Sequence, residues 1–258
     1  MAKKWTRFPY PDPAYLYEGA ALKKAWPRLH QGDREPYPKD AAAADAWRHF
    51  HAGAFRDAVD AGRAAGGAAI NAAVKAQCIY AHYLERDAKL RLALFEDAAK
   101  WADARRREAP KDANAHYLHA QALGRYGQGI SVAKALAQGF GGKIRDALTR
   151  ALELEPRHAE AALAYGAYQS EVIDKVGGIV AGLTYGAKRD DALACFERAM
   201  KLFPESPIVR VEYGNGLIRL FGKSRLADAT RLYEAAAKAA PCDAMERLDV
   251  EFAKTELE

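Results

Sequence analysis

Five groups of residues carry side chains or backbone that could do chemistry, and each can be tested against the spacing its chemistry needs. Gly139-Phe140-Gly141-Gly142-Lys143-Ile144 combines glycines with a lysine, as phosphate-cradling loops do. Such a loop also needs a glycine five residues before its Gly-Lys pair and a hydroxyl after it. Ala137 and Ile144 hold those positions, so nucleotide binding is not expected. His116 and His119 share one helix face at i, i+3, a spacing that can grip a metal, but no third ligand lies nearby in sequence. They read as histidines at the edge of a core. His49 and His51 fall on different faces of any helix and cannot chelate together. Cys78, Cys195 and Cys242 are odd in number, far apart and without C-x-x-C spacing, so free thiols in a reducing compartment are expected. Arg105-Arg106-Arg107 could hold phosphates, but cations are also favoured at the negative end of a helix dipole. No Ser-His-Asp or H-E-x-x-H pattern occurs. The expectation is a non-enzymatic protein with no metal, no cofactor and no nucleic-acid partner.

What positions these residues is helix. Of the 258 residues, 57 are alanine, the best helix former, while Ile, Val and Thr, which favour strands, are sparse. An all-β or doubly wound fold is thereby excluded. The formal net charge of +5 is spread along the chain rather than massed in a basic stripe. The longest apolar run without charge, Val176 to Ala187, is 12 residues, short of the ~20 that a membrane span requires. Pro9, Pro11, Pro13, Asp12 and Glu18 interrupt any leader-like apolar run, so a cytoplasmic location is expected.

Six of the 11 prolines fall in the first 38 residues, together with seven aromatics: Trp5, Phe8, Tyr10, Tyr15, Tyr17, Trp26 and Tyr37. Residues 1–40 therefore read as an irregular arm, with one short helix around Tyr15–Trp26. Disordered tails are poor in aromatics, so the arm is expected to pack on the helical body, residues 41–258.

Beyond residue 40 the chain repeats. Leu92–Pro110, Lys143–Pro156, Arg189–Pro204 and Arg225–Pro241 each set apolar residues at helical spacing and end on proline. A second helical stretch follows each proline: Ala113–Leu123, Ala159–Val172, Ile208–Phe221 and Ala244–Leu257. Helix pairs of this size must stack on one another to bury their faces. The last stretch, rich in Asp243, Glu246, Asp249 and Glu251, reads as a polar cap with a solvated face.

Ala147-Leu148-Thr149-Arg150-Ala151-Leu152-Glu153-Leu154-Glu155-Pro156 and Ala192…Phe196…Ala199…Pro204 resemble the tetratricopeptide repeat (TPR) superfamily. The family's small residue is matched by Ala120, Gly166 and Gly214, each ten residues after its proline. The resemblance implies an all-α α-solenoid of stacked antiparallel helix pairs. Two proline spacings, 46 and 48 residues, exceed the family period of about 34. The surplus falls at Tyr126–Gly142 and Asp174–Lys188, both Gly-rich and apolar. This long-hairpin variant is similar to the T-component proteins of TRAP transporters and to TPR proteins of the microtubule-dynamics-regulator type. By that resemblance the concave face would bind a segment of a partner protein through Asn114, Tyr117 and Gln121, then Glu160, Leu163 and Ala167, then Ile208, Val211 and Asn215. The lysines of the family's dicarboxylate clamp are replaced by Tyr117, Leu163 and Val211, which argues against an acidic C-terminal tail as the ligand. The rival expectation is a small apolar ligand held between the two inserts.

Overall fold

Each helix restart after a phasing proline is fixed by a residue two positions later. Asp112 Oδ1 accepts from Ala115 N (3.1 Å), His158 Nδ1 from Ala161 N (3.0 Å) and Ser206 Oγ from Val209 N (3.4 Å). These side chains satisfy N–H groups that the first helical turn leaves without a backbone partner. Asp243 holds the corresponding position after Pro241.

The structure, a computed structural model, describes residues 5–130, 134–135 and 138–258. It is all-α: 76% is helical, and no strand occurs among the described residues. The helices are α1 (Ala20–Leu29), α2 (Ala41–His51), α3 (Phe55–Ala65), α4 (Ile70–Tyr83), α5 (Ala88–Glu108) and α6 (Ala113–Gln128). After them come α7 (Phe140–Leu154), α8 (Ala159–Val176), α9 (Arg189–Leu202), α10 (Pro207–Phe221), α11 (Leu226–Ala237) and α12 (Ala244–Thr255).

The chain forms two compact units. Unit 1 holds residues up to His30, Glu35–Leu154 and Cys242–Met245; unit 2 holds Gln31–Arg34, Glu155–Pro241 and Glu246–Glu258. In unit 1, α2 through α7 pack each against the next. Trp47, Phe50, Phe55, Tyr80, Leu118 and Leu148, carried on these helices, are all buried. In unit 2, α8 packs on both α9 and α10, and α10 on α11. Phe196, Val209 and Leu217 are fully buried there.

Glycine sets the closeness of the pairs. A Cβ on Gly166 would lie 3.1 Å from both Ala192 O and the Phe196 ring, and one on Gly214 only 2.5 Å from Tyr233 Cε1. Ala120 is buried in α6. The small residues that phase with the prolines thus mark helix contacts.

The segment before α2 belongs to the same packing problem. Trp5 stacks on Tyr80 with ring centroids 3.8 Å apart, and Phe8 meets Phe55 edge-on at 6.2 Å. Tyr15, Leu22, Trp26 and Leu29 are buried, whereas Tyr10, Leu16 and Tyr37 are exposed. The short helix starts at Ala20 rather than near Tyr15 and carries Pro27 inside it. Pro27 sits close enough to the C-terminal end that the helix stops two residues later.

Helix α12 differs from the solvated face expected of it. Asp243, Glu246 and Asp249 are all buried, beside buried Leu248, Val250 and Ala253. Alternation of acid and apolar residues along this helix hides which acids face inward.

Candidate functional site

The helices that directly follow Pro110, Pro156 and Pro204 carry the nine residues expected to line a groove. On α6, Asn114 and Tyr117 are buried, and the half-buried Gln121 donates from Nε2 to the Tyr117 hydroxyl at 3.1 Å. These three lie in unit 1. The other six lie in unit 2. On α8, Glu160 and Leu163 are buried and Ala167 is partly open. On α10, Ile208 is partly open and Val211 is fully buried among Ala229, Tyr233, Ala236 and Ala253. Asn215 Oδ1 accepts from the Tyr233 hydroxyl at 2.7 Å. Of the nine, the side chains still partly open to solvent are Gln121, Ala167, Ile208 and Asn215.

Asn114 is engaged in a network that the sequence spacing did not point to. Its Nδ2 donates to Glu35 Oε2 at 2.7 Å, and Asn71 Nδ2 donates to the same oxygen at 3.2 Å. Asn71 Nδ2 also reaches Asp112 Oδ2 at 3.2 Å. Arg105 holds Asp112 through Nε (3.2 Å) and Nη2 (3.1 Å). The Trp26 indole N–H donates to the Glu35 carbonyl at 2.7 Å. Asn71 and Asn114 each occupy the second position of their helix. The equivalence is hidden in the sequence because no proline phases α4.

A second buried network, also within unit 1, centres on His51. Its Nδ1 lies 2.7 Å from Asp243 Oδ2, and its Nε2 lies 3.2 Å from His30 Nε2. The Tyr17 hydroxyl donates to Cys242 O at 2.6 Å. Trp26 stacks on His30 at 4.0 Å.

The remaining candidates resolve into packing. His116 Nε2 meets Pro110 O at 3.1 Å and His119 Nδ1 meets Ala99 O at 3.2 Å, so the pair bonds to two different backbone carbonyls. Among the described residues no cluster of His, Cys, Asp and Glu could hold a metal ion. Arg105 is taken up by Asp112 and Glu108, and Arg106 and Arg107 by Asp103. The arginine run is thereby committed to ion pairs. Cys78 is buried in α4, and burial pushes its thiol up to about 12. Cys195 and Cys242 are partly buried, and neither forms a disulfide.

Of the two apolar inserts, the first includes residues 131–133 and 136–137, which lie outside the described residues. The second folds as a turn Gly178–Val180 running into a π-helical turn Ala181–Tyr185. Ala181 and Ala187 are buried with Ile173, Ala192 and Leu220, while Ile179 and Leu183 are 80% and 86% exposed. No helix among the described residues is long and apolar enough to cross a membrane.

Burial lowers the pKa of His82 well below the usual histidine range and lowers those of His116 and His119 less strongly. Neighbouring cations add to this: Arg125 at His82, and Arg106 at the other two. The unfolded chain therefore binds more protons than the folded one once pH falls through about 6.5. Stability should be full above that value and decline below it toward the folded pKa values. Melting temperatures taken from pH 7.5 to 5.5 should fall, and more gently in the His116→Gln/His119→Gln variant. Equal slopes for the two proteins would remove these histidines from the account.

No family model matches the sequence, and neither does any curated protein. Among solved structures the fold is similar to that of a thermophilic TPR protein from Thermus thermophilus, at 17% identity and a TM-score of 0.57. The match covers 83% of this chain and 97% of that one. At that identity the likeness speaks to the fold alone. The chain has the helical-repeat fold of the TPR type, an α-solenoid of antiparallel helix pairs.

Proposed function

We propose that this chain is a non-enzymatic scaffold that binds an extended segment of a partner protein along the inner faces of its helices. The observation that carries the reading is in unit 1. There a non-helical stretch of the chain already rests on α4 and α6, with its carboxylate taken by Asn71 and Asn114. Helical repeats present such faces as extended surfaces, and extended segments dock on them through side chains placed at regular intervals.

The partly open residues Gln121, Ala167, Ile208 and Asn215 are the ones available to a partner. A small apolar ligand held at the inserts would need apolar side chains turned inward there. Here Ile179 and Leu183 turn outward, which favours the scaffold.

The test is capture of a partner from the native host on immobilised full-length chain, repeated with Gln121→Arg, Ala167→Arg and Ile208→Arg. A stoichiometric partner whose retention falls at least tenfold in these variants, with melting temperature unchanged, is the expected result. Retention unaffected by all three, or no stoichiometric partner at all, overturns the reading.

A further inference from the structure

Glu35 is buried at 6% exposure, yet it sits on a stretch with no helix of its own, between α1 and α2. Two amides from different helices converge on it. Asn71 and Asn114 are 43 residues apart in sequence, and both Nδ2 groups reach the same carboxylate oxygen. The Asn71 amide is held in place from its other side by Asp112, itself fixed by Arg105. Asn71 is fully buried, and its Oδ1 has no hydrogen-bond donor among the described residues.

We propose that Asn71 and Asn114 form a carboxylate-reading shelf whose resident occupant is Glu35. An extended partner segment carrying a glutamate followed by proline competes with the chain's own strap for that shelf. This rests on the segment-binding reading above and names the chemistry of the segment.

Three features support a displaceable occupant over a fixed piece of core. First, a carboxylate is a costly group to bury, and replacing a buried ionic group by an apolar one of similar volume is often neutral or stabilising. What two convergent amides do supply is selectivity for a carboxylate over an apolar side chain.

Second, the strap is held under strain. Arg34, immediately before Glu35, has φ of 57°, the left-handed region that non-glycine residues seldom adopt. Such a conformation persists only while its surroundings enforce it.

Third, the strap is built as an extended ligand. Pro36 and Pro38 keep it out of helix, Glu35 faces in, and Arg34, Pro36 and Tyr37 face out. Its main chain is read as well, through the Trp26 indole N–H on the Glu35 carbonyl. The orphaned Asn71 Oδ1 can accept one more donor, such as a backbone N–H of a segment lying slightly differently from the strap.

A resident occupant lowers apparent affinity by the fraction of time the shelf is open. A strap closed nine-tenths of the time or more reduces binding at least tenfold, which fixes the size of the expected effect. The probe is a fluorescein-labelled peptide of residues 33–39, Asp-Arg-Glu-Pro-Tyr-Pro-Lys. Its fluorescence anisotropy is followed on titration with the full-length chain, in wild type, Glu35→Ala and the near-isosteric Glu35→Gln.

The expected result is binding at least tenfold tighter to Glu35→Ala than to wild type, with Glu35→Gln between them. The same peptide with its glutamate changed to alanine should lose that gain, as should Asn114→Ala introduced beside Glu35→Ala. Peptide binding no tighter to either strap variant than to wild type, in proteins that still melt cooperatively, overturns the proposal. Loss of cooperative melting in both variants overturns it too, because Glu35 is then a fixed part of the core. Partner capture of equal strength by wild type and Glu35→Ala overturns the strap while leaving the segment-binding reading intact.

Discussion

Trp47→Ala should cost about 3–5 kcal/mol, the range for emptying a fully buried large aromatic site. Trp47 is 1% exposed and sits at the junction of α1 and α2. The rings of His30 and Phe50 meet it edge-on at 4.6 and 5.4 Å, and Trp26 does so at 6.0 Å. His51 stacks beside it at 6.0 Å. Truncation leaves a cavity that these rings cannot close without moving His51 off Asp243, 2.7 Å away in the native structure. The site is therefore poorly able to relax, which places the cost toward the upper end. Thermal melts followed by near-UV circular dichroism should show a drop of about 10 °C. A change under about 2 °C would mean that the α1–α2 junction contributes little to unit 1.

The repeats were legible because proline, cap and small residue recur in phase. Pro110, Pro156 and Pro204 are each followed two residues later by a side chain that caps the next helix, and ten residues later by Ala120, Gly166 or Gly214. Those signals are local, so one sequence suffices to read them. The network around Glu35 was less legible. Asn114 follows Pro110 by four residues, but what it binds, Glu35, lies 79 residues away on a stretch without periodicity. Asn71 was invisible because α4 begins without a proline and after only a short 3-10 turn, Gly67–Ala69. Long-range pairing of this kind leaves no trace in spacing. The same reason hid His51, whose partner Asp243 is 192 residues on.

Gly214→Leu is the second large effect, at about 3 kcal/mol, the upper end for overpacked cores. Glycine inside a helix ordinarily costs up to about 1 kcal/mol relative to alanine, so an exposed glycine improves when replaced. At Gly214 the sign reverses, because even a single Cβ would sit 2.5 Å from Tyr233 Cε1. The ring cannot swing away freely, since its hydroxyl is bonded to Asn215 and its edge is packed with Val211 and Ala253. Gly182→Ala is the control. Its Cβ would meet nothing nearer than Ala187 O at 3.9 Å, and stability should hold or rise slightly. Urea midpoints measured by far-UV circular dichroism separate the two. If Gly214→Leu melts like wild type, α10 and α11 are not in close contact at this point.

The thiol of Cys78 gives the chain an internal clock. Only a thiolate attacks alkylating reagents and disulfides, and a buried group pushed up to about 12 supplies almost none at pH 8. Labelling at Cys78 must therefore wait for α4 to leave its packing, whereas Cys195 and Cys242 are partly exposed. When reclosing is faster than alkylation, the labelling rate scales with the population of the opened form. Mass spectrometry of the Cys78 peptide against reagent concentration thus reads the opening free energy of the first helices directly, in native buffer and without denaturant.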